Sequence, residues 1–396
     1  MPDAETAYLF RHALVQQAAY DLQPLSARAR LHALALDIIE DVCGGAPVIE
    51  QPHWLARIAA HPTDRFVLEL ADHADLAAEG LPGAEGGRYA RKAALYHFRG
   101  AFHEEAGYRF LSALERFESL AEHPGADDYL RAQGRIGAGQ AHYRLGNLRR
   151  AAEHYDAMEQ CVEGDPLGAQ MLESVRTVIA SHSDNGPHVA ESHLAASKFW
   201  GERGDRKREV ASLINYAVWH CEEGDHDIAR EALKRAIEMA RACAHLRAEE
   251  AAVGTLGMLD EEDGRFEEAE AGMKRALEMA RQVNNEFAVV QWIIGLAELS
   301  RRMNHLPEAE AGFREAIALS EAAGIDVKRE YSMAYLGVLL LDMGRAEEAR
   351  RWWNEGRAGI AMRGDDYTLN GVDRSMRNAL KRAGLPPLNP DGSFPA

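Results

Sequence analysis

Seven alanines recur along this chain at nearly constant intervals: Ala106, Ala151, Ala190, Ala229, Ala269, Ala309 and Ala349. The last three intervals are 40 residues each, the two before them 39, and the first a looser 45. Around the last four the text repeats as well: Gly224-Asp225-His226-Asp227-Ile228-Ala229, Gly264-Arg265-Phe266-Glu267-Glu268-Ala269, Asn304-His305-Leu306-Pro307-Glu308-Ala309 and Gly344-Arg345-Ala346-Glu347-Glu348-Ala349. Such a period marks a stack of helical hairpins, with each alanine in the same turn of its unit. An array of this kind grows along one axis, so 396 residues need not divide into several globular domains. The predicted class is all-α.

Each unit has an apolar-periodic helix, a turn, and a second helix with small residues on one face. In the fifth unit the first helix carries Val253, Leu256 and Gly257, the turn holds Gly264, and the second helix carries Ala269, Met273 and Ala276. The sixth repeats this with Leu296, Ala297, Ala309, Phe313 and Ala316, and the seventh with Leu336, Gly337, Gly344, Ala349 and Trp353. Glycine lets the chain reverse through a positive φ or a close approach. Alanine lets two helices cross where a longer side chain would not fit. One hairpin buries only a few large side chains, worth about 1.5–3 kcal/mol each, against an ordering cost of about 1.5 kcal/mol per residue. It persists by stacking on its neighbours, and the ends of the stack need caps. The third unit departs from the pattern, with Ser181-His182-Ser183-Asp184-Asn185-Gly186-Pro187 in place of the usual turn.

These residues resemble the tetratricopeptide repeat, whose first helix has a large-Leu-Gly pattern and whose second has Ala, an aromatic and Ala. The resemblance covers roughly residues 89–360 and implies a right-handed superhelical solenoid of about seven hairpins, in the longer form familiar from regulators and sensors of that family. After it, residues 361–384 are expected to form a capping helix with Leu369, Val372, Met376 and Leu380 on one face, covering the flank that Trp352 and Trp353 help to build. Residues 385–396 open on Leu385-Pro386-Pro387-Leu388-Asn389-Pro390, which cannot continue a helix, and are expected to be a loose tail.

Residues 1–80 are expected to be a separate helical segment. Apolar residues at 10, 14, 15 and 18, then at 31, 34, 35 and 38, predict two amphipathic helices joined at Pro24. The run Phe10-Arg11-His12-Ala13-Leu14 is similar to the end of the winged-helix region of bacterial STAND-type signalling ATPases, where a Phe-x-His-Ala-Leu segment leads into tetratricopeptide repeats. In that family the motif histidine can contact the nucleotide phosphate, and His12 matches it. No GxxxxGK followed by Ser or Thr provides a phosphate cradle. Gly83, Gly86 and Gly87 with Arg88 read only as a linker. The resemblance therefore implies a sensor arm without its motor.

A formal net charge of −18 repels a phosphate backbone or an anionic membrane, so neither nucleic acid nor membrane is expected as a partner. Apolar runs are too short to span a bilayer, and Asp3, Glu5, Arg11, His12 and Asp21 interrupt the first thirty residues, so a cytoplasmic setting is expected. Cys43, Cys161, Cys221 and Cys243 form no CxxC pair and fit reduced thiols. Oligomeric state stays open.

Candidate chemistry is thin. His182, His188 and His193 lie near Asp184, but at spacings of six and five rather than the three or four of a helical metal site. Cys221 follows His220, and adjacent helical residues point about 100° apart, too far to pair. Glu261, Glu262, Asp263, Glu267 and Glu268 sit at hairpin turns and face water. Some tetratricopeptide regulators act as phosphatases through a polar side chain of an N-terminal bundle, a role open to Gln16 or Gln17. No catalytic residue, cofactor or metal is expected.

In the tetratricopeptide family the first helix of each hairpin lines a groove. Aligned on the turn alanines, its positions correspond to Gln140, Tyr143 and Arg144, then Asn215, then Thr255 and Met258, then Gln291, Glu298 and Arg301, then Tyr331 and Tyr335. Aromatic anchors supply area and amides hold backbone groups, which suits a peptide or protein partner. Packing is the alternative role for Met258 and Tyr335. The expectation is a non-enzymatic bacterial module binding a protein or peptide in signalling or defence. Alternatives are a ligand-sensing arm for a small molecule or peptide, an accessory or substrate of a protease, and a phosphatase-type regulator.

Overall fold

A computed structural model describes residues 20–48, 58–106, 109–181, 187–363 and 366–395. Among the described residues there are seventeen α-helices and no strand. They form two compact units. The first takes the described residues up to Ala106, then Leu111–Ala138 and Gln160–Val162. The second takes Arg109 and Phe110, Gly139–Glu159 and everything described from Glu163 onward.

The first unit holds α1 (Leu25–Val42), α2 (Val67–Gly80), α3 (Gly83–Ala106), and most of α4 (Phe110–Glu122) and α5 (Asp128–Arg144). Helix α1 corrects the sequence pattern. Its buried face is Ala29, Ala33, Leu36 and Glu40, while Leu31, Leu34 and Ile38 are 52%, 57% and 53% exposed. Two physical causes select this face. Ala29 is small enough for α2 to approach, with its Cβ 2.5 Å from where a Cβ on Gly80 would lie. The Glu40 carboxylate is matched by Lys92 Nζ at 2.5 Å and the Tyr96 hydroxyl at 2.7 Å, both on α3. A buried carboxylate needs such partners.

The glycines read as a linker instead open α3. A Cβ on Gly86 would lie 2.3 Å from the Leu81 carbonyl oxygen, so the tight entry into this helix excludes a side chain there. Ala106 also changes role, since it is the last residue of α3. The repeating alanine of this unit is Ala113, fully buried at the fourth position of α4, the position Ala151, Ala229, Ala269, Ala309 and Ala349 hold in their own helices. Ala113 precedes Ala151 by 38 residues, which removes the irregular interval of 45.

The second unit continues with α6 (Leu148–Ala157), α7 (Pro166–Ala180) and α8 (Pro187–Glu202). Four hairpins follow: α9 (Arg206–Glu223) with α10 (His226–Ala242), α11 (Leu246–Glu262) with α12 (Phe266–Gln282), α13 (Glu286–Arg302) with α14 (Leu306–Ala323), and α15 (Asp326–Asp342) with α16 (Ala346–Arg363). Helix α17 (Asp366–Ala383) packs on α15 and α16. The crossing points show why the small residues recur. A Cβ on Gly337 would meet the Trp353 nitrogen at 2.9 Å and the Ala349 carbonyl oxygen at 3.1 Å. Where α13 has Ala297 instead of glycine, α14 offers Gly312 to its methyl.

Turns are more regular than the glycines reveal. Residues 204, 224, 244, 264, 284, 304, 324 and 344 all have positive φ, one every 20 residues, as does Gly384. Three of them are not glycine: Ala244 (51°), Asn284 (51°) and Asn304 (62°). The left-handed residue after each helix closes its last carbonyls, and half of these positions lie between hairpins, where the sequence pattern was not sought.

The C-terminal segment expected to be loose is pinned. Trp353, fully buried, donates its indole N–H to the Gly392 carbonyl at 3.1 Å. The Phe394 ring is buried, and its backbone N–H donates to Asn354 Oδ1 at 2.8 Å. Arg357 ties Asp373 of α17 to the Asp391 carbonyl. The segment lacks helix-forming residues but contains the aromatic that completes the pocket beside Trp353.

Candidate functional site

The eleven expected binding positions fall on α5, α9, α11, α13 and α15, and none is fully buried. On α13, Phe287, Gln291, Glu298 and Arg301 share one face at helical spacing, as do Lys328, Tyr331, Tyr335 and Asp342 on α15. Met258 is 40% exposed and presents its thioether to solvent.

The structure joins several of these residues. Arg301 donates to Glu298 and reaches Asp342 at 3.3 Å, and Arg382 of α17 holds the same Asp342 at 2.7 Å. Arg302 meets Glu261 at 3.2 Å. Burial pushes the Glu261 carboxyl up to about 7, Arg302 pulls it back, and Glu298 adds repulsion. Arg301 is thus committed within the protein, and a ligand carboxylate there would compete with two acids. The Tyr331 and Tyr335 rings lie 4.6 Å apart, and Tyr335 also stacks on buried Phe313 at 6.3 Å. Tyr335 therefore both packs and lines the face. Gln291 accepts from Lys328 Nζ. Arg144 lies over the rings of Phe110 and Phe287. No hydrogen bond or ion pair among the described residues joins Gln140, Asn215, Thr255 or Met258 to these groups.

Phe110, Phe287 and Lys328 were missed by sequence reasoning. Helical spacing from Gln291 would have found Phe287, one turn earlier on α13, but nothing local relates it to Phe110.

Other candidate chemistry resolves toward structure. Burial pushes the Cys221 thiol up to about 12, with nearby Glu262 and Glu222 adding to it, so no thiolate is available at neutral pH. His220 is held by Asp225 at 3.0 Å. Burial pulls His193 down to about 4. His182 and Asp184, like His12, Gln16 and Gln17, lie outside the described residues.

In the first unit, Asp75, His97 and His123 bring three potential ligand atoms within 4.8 Å of one another. The Gly125 N–H donates to His123 Nδ1 at 3.1 Å, which puts the His123 proton on Nε2, and that N–H donates to Asp75 Oδ1 at 2.9 Å. His97 Nε2 lies 2.7 Å from Asp75 Oδ2. A metal on His123 Nε2 would force an Nδ1–H against the Gly125 N–H. The trio fits a carboxylate gripping two histidines better than a metal centre. Burial alone would raise Asp75, but hydrogen bonds from His123 and His97 hold its carboxyl well below the usual range.

Residues 205–381 match the family model of the MalT-like TPR region. The chain carries a tetratricopeptide-repeat array. The match runs from Asp205, which caps α9, into α17, so the last helix lies within the matched region. No functionally curated protein matches the sequence significantly. Among solved structures, a Rap protein complexed with competence and sporulation factor is 14% identical, with 91% of this chain and 98% of that one covered and a TM-score of 0.57. The Rap conjugation gene regulator of plasmid pLS20, in complex with the Phr* peptide, is 12% identical over 90% and 97%, with a TM-score of 0.58. NprR in complex with its cognate peptide NprX is 12% identical over 76% and 84%, with a TM-score of 0.56. At these identities the likeness is one of fold. Among the described residues, no helix is long and apolar enough to cross a membrane.

Proposed function

We propose that this protein is a non-catalytic regulator whose tetratricopeptide array binds a peptide, or an extended segment of a partner protein, along the exposed faces of α11, α13 and α15. The observation that carries this reading is the juxtaposition on those faces of aromatic rings, an amide and a thioether beside an acid–arginine network already matched within the protein. Such a surface offers area and backbone hydrogen bonding without an unpaired buried charge. The Phr* and NprX complexes of the same fold support a peptide as the ligand class. A bacterial cytoplasmic setting in signalling or defence fits this role.

Site-specific photocrosslinking tests it. A benzoylphenylalanine replacing Met258 or Gln291 is expected to capture a polypeptide that the same probe at Lys274, exposed on a second helix, does not. Identical capture from all three positions, or capture at Lys274 alone, would refute the assignment of the face.

A further inference from the structure

The exposed face of α11, α13 and α15 carries different charge at its two ends. At the C-terminal ends the carboxylates of Glu261, Glu298 and Asp342 are each matched by an arginine. At the N-terminal ends the cations instead rest on aromatic rings. Phe287, in the first turn of α13, has Lys328 Nζ 4.8 Å from its ring centroid and the Arg144 guanidinium 6.0 Å from it. Arg144 is also 5.5 Å from the ring of Phe110, which meets Phe287 edge-on at 6.1 Å. Arg144 is exposed, and among the described residues it forms no ion pair.

A cation against a ring gains roughly 0.5–1 kcal/mol at an exposed site, enough to orient the head group. The ring carries no net charge, so the cation's field still reaches an incoming anion. Gln291 further fixes Lys328 through the hydrogen bond its side-chain oxygen accepts. Two oriented cations beside an apolar ring are complementary to a carboxylate carried next to an apolar group. In a chain of net charge −18, most of the surface repels such a ligand, so this end of the face is distinguished from its surroundings.

We propose that Arg144 and Lys328, braced by Phe287, form a subsite for a carboxylate of the bound peptide. This rests on the peptide-binding reading above and adds an orientation: the anionic part of the ligand lies at the N-terminal ends of α13 and α15, and the remainder runs toward Tyr331, Tyr335 and Met258.

The test uses N-terminally labelled short-peptide pools made as C-terminal acids and as amides, each with Glu or Gln in the last positions. Binding is read by fluorescence polarisation at low and high salt, with the full chain and with its Arg144→Gln and Lys328→Gln variants. Pools bearing a carboxylate are expected to bind about tenfold or more tightly than the fully neutral pool, and the preference is expected to shrink with salt. Each substitution is expected to reduce the preference without changing Tm. Sensitivity to amidation assigns the peptide terminus as the source, and sensitivity to Glu-to-Gln exchange assigns a side chain. Equal binding of charged and neutral pools, or an undiminished preference in both variants, overturns the subsite while leaving peptide binding intact. Binding by no pool overturns the peptide-binding reading and the subsite with it.

Discussion

Glu250 of α11 gives the sharpest energetic test of the core. It is 3% exposed, and its carboxylate accepts the indole N–H of Trp292 on α13 and a hydrogen bond from the Asn285 side chain. Trp292 cannot retreat, because it is wedged where a Cβ on Gly254 would lie 2.2 Å from its ring. Burial pushes the Glu250 carboxyl from 4.5 up to about 7, only partly offset by Trp292, Arg247 and Asn285. Between those two values the folded protein holds a proton that the unfolded chain has released. The stability linked to this group is therefore fully present below about pH 4.5, declines as pH rises, and is lost above about pH 7. The gap corresponds to roughly 3 kcal/mol. Glu250→Gln keeps an acceptor for the indole and carries no charge at any pH. Urea unfolding followed by tryptophan fluorescence is expected to show the variant near parity with the parent at pH 5 and more stable by about 2–3 kcal/mol at pH 8. A constant difference across pH, or a less stable variant at pH 8, would refute the assignment of a buried, protonated Glu250.

Three further outcomes follow from the packing. Ala269→Trp places a large ring at a fully buried crossing of α11 and α12 and is expected to cost about 1–3 kcal/mol or more, seen as a lowered Tm. Ala244→Gly removes a methyl from a residue held at φ 51° and is expected to stabilise by about 0.5–1 kcal/mol; a loss of stability would mean the methyl is not strained. Phe394→Ala is expected to cost about 3 kcal/mol and to free the C-terminus for carboxypeptidase, whereas a loose terminus would be cut equally fast in the parent.

Legibility in the sequence followed the range of the interaction. The hairpins from Ala229 to Ala349 could be read because their turn glycine, crossing alanine and facing aromatic recur within a few turns of helix. The face of α1 could not, because Lys92 and Tyr96, which neutralise Glu40, stand 52 and 56 residues away. Ala106 was mistaken for Ala113 because both are alanines near a helix boundary, and only the helix ends distinguish them. The positive φ at Ala244 carries no compositional sign, since that residue type normally avoids it. Among binding residues, Gln291, Glu298 and Arg301 could be located by counting from the turn, but the partners that decide what Arg301 is free to do could not.

The sequence by itself determined the all-α class, the 40-residue period and the crossing points, because each depends on residue size and backbone freedom over short distances. Only the tertiary structure decided that Arg301 is already matched by acids while Arg144 and Lys328 rest on a neutral ring. Charge pairing between separate helices depends on distances in space that a linear text does not contain.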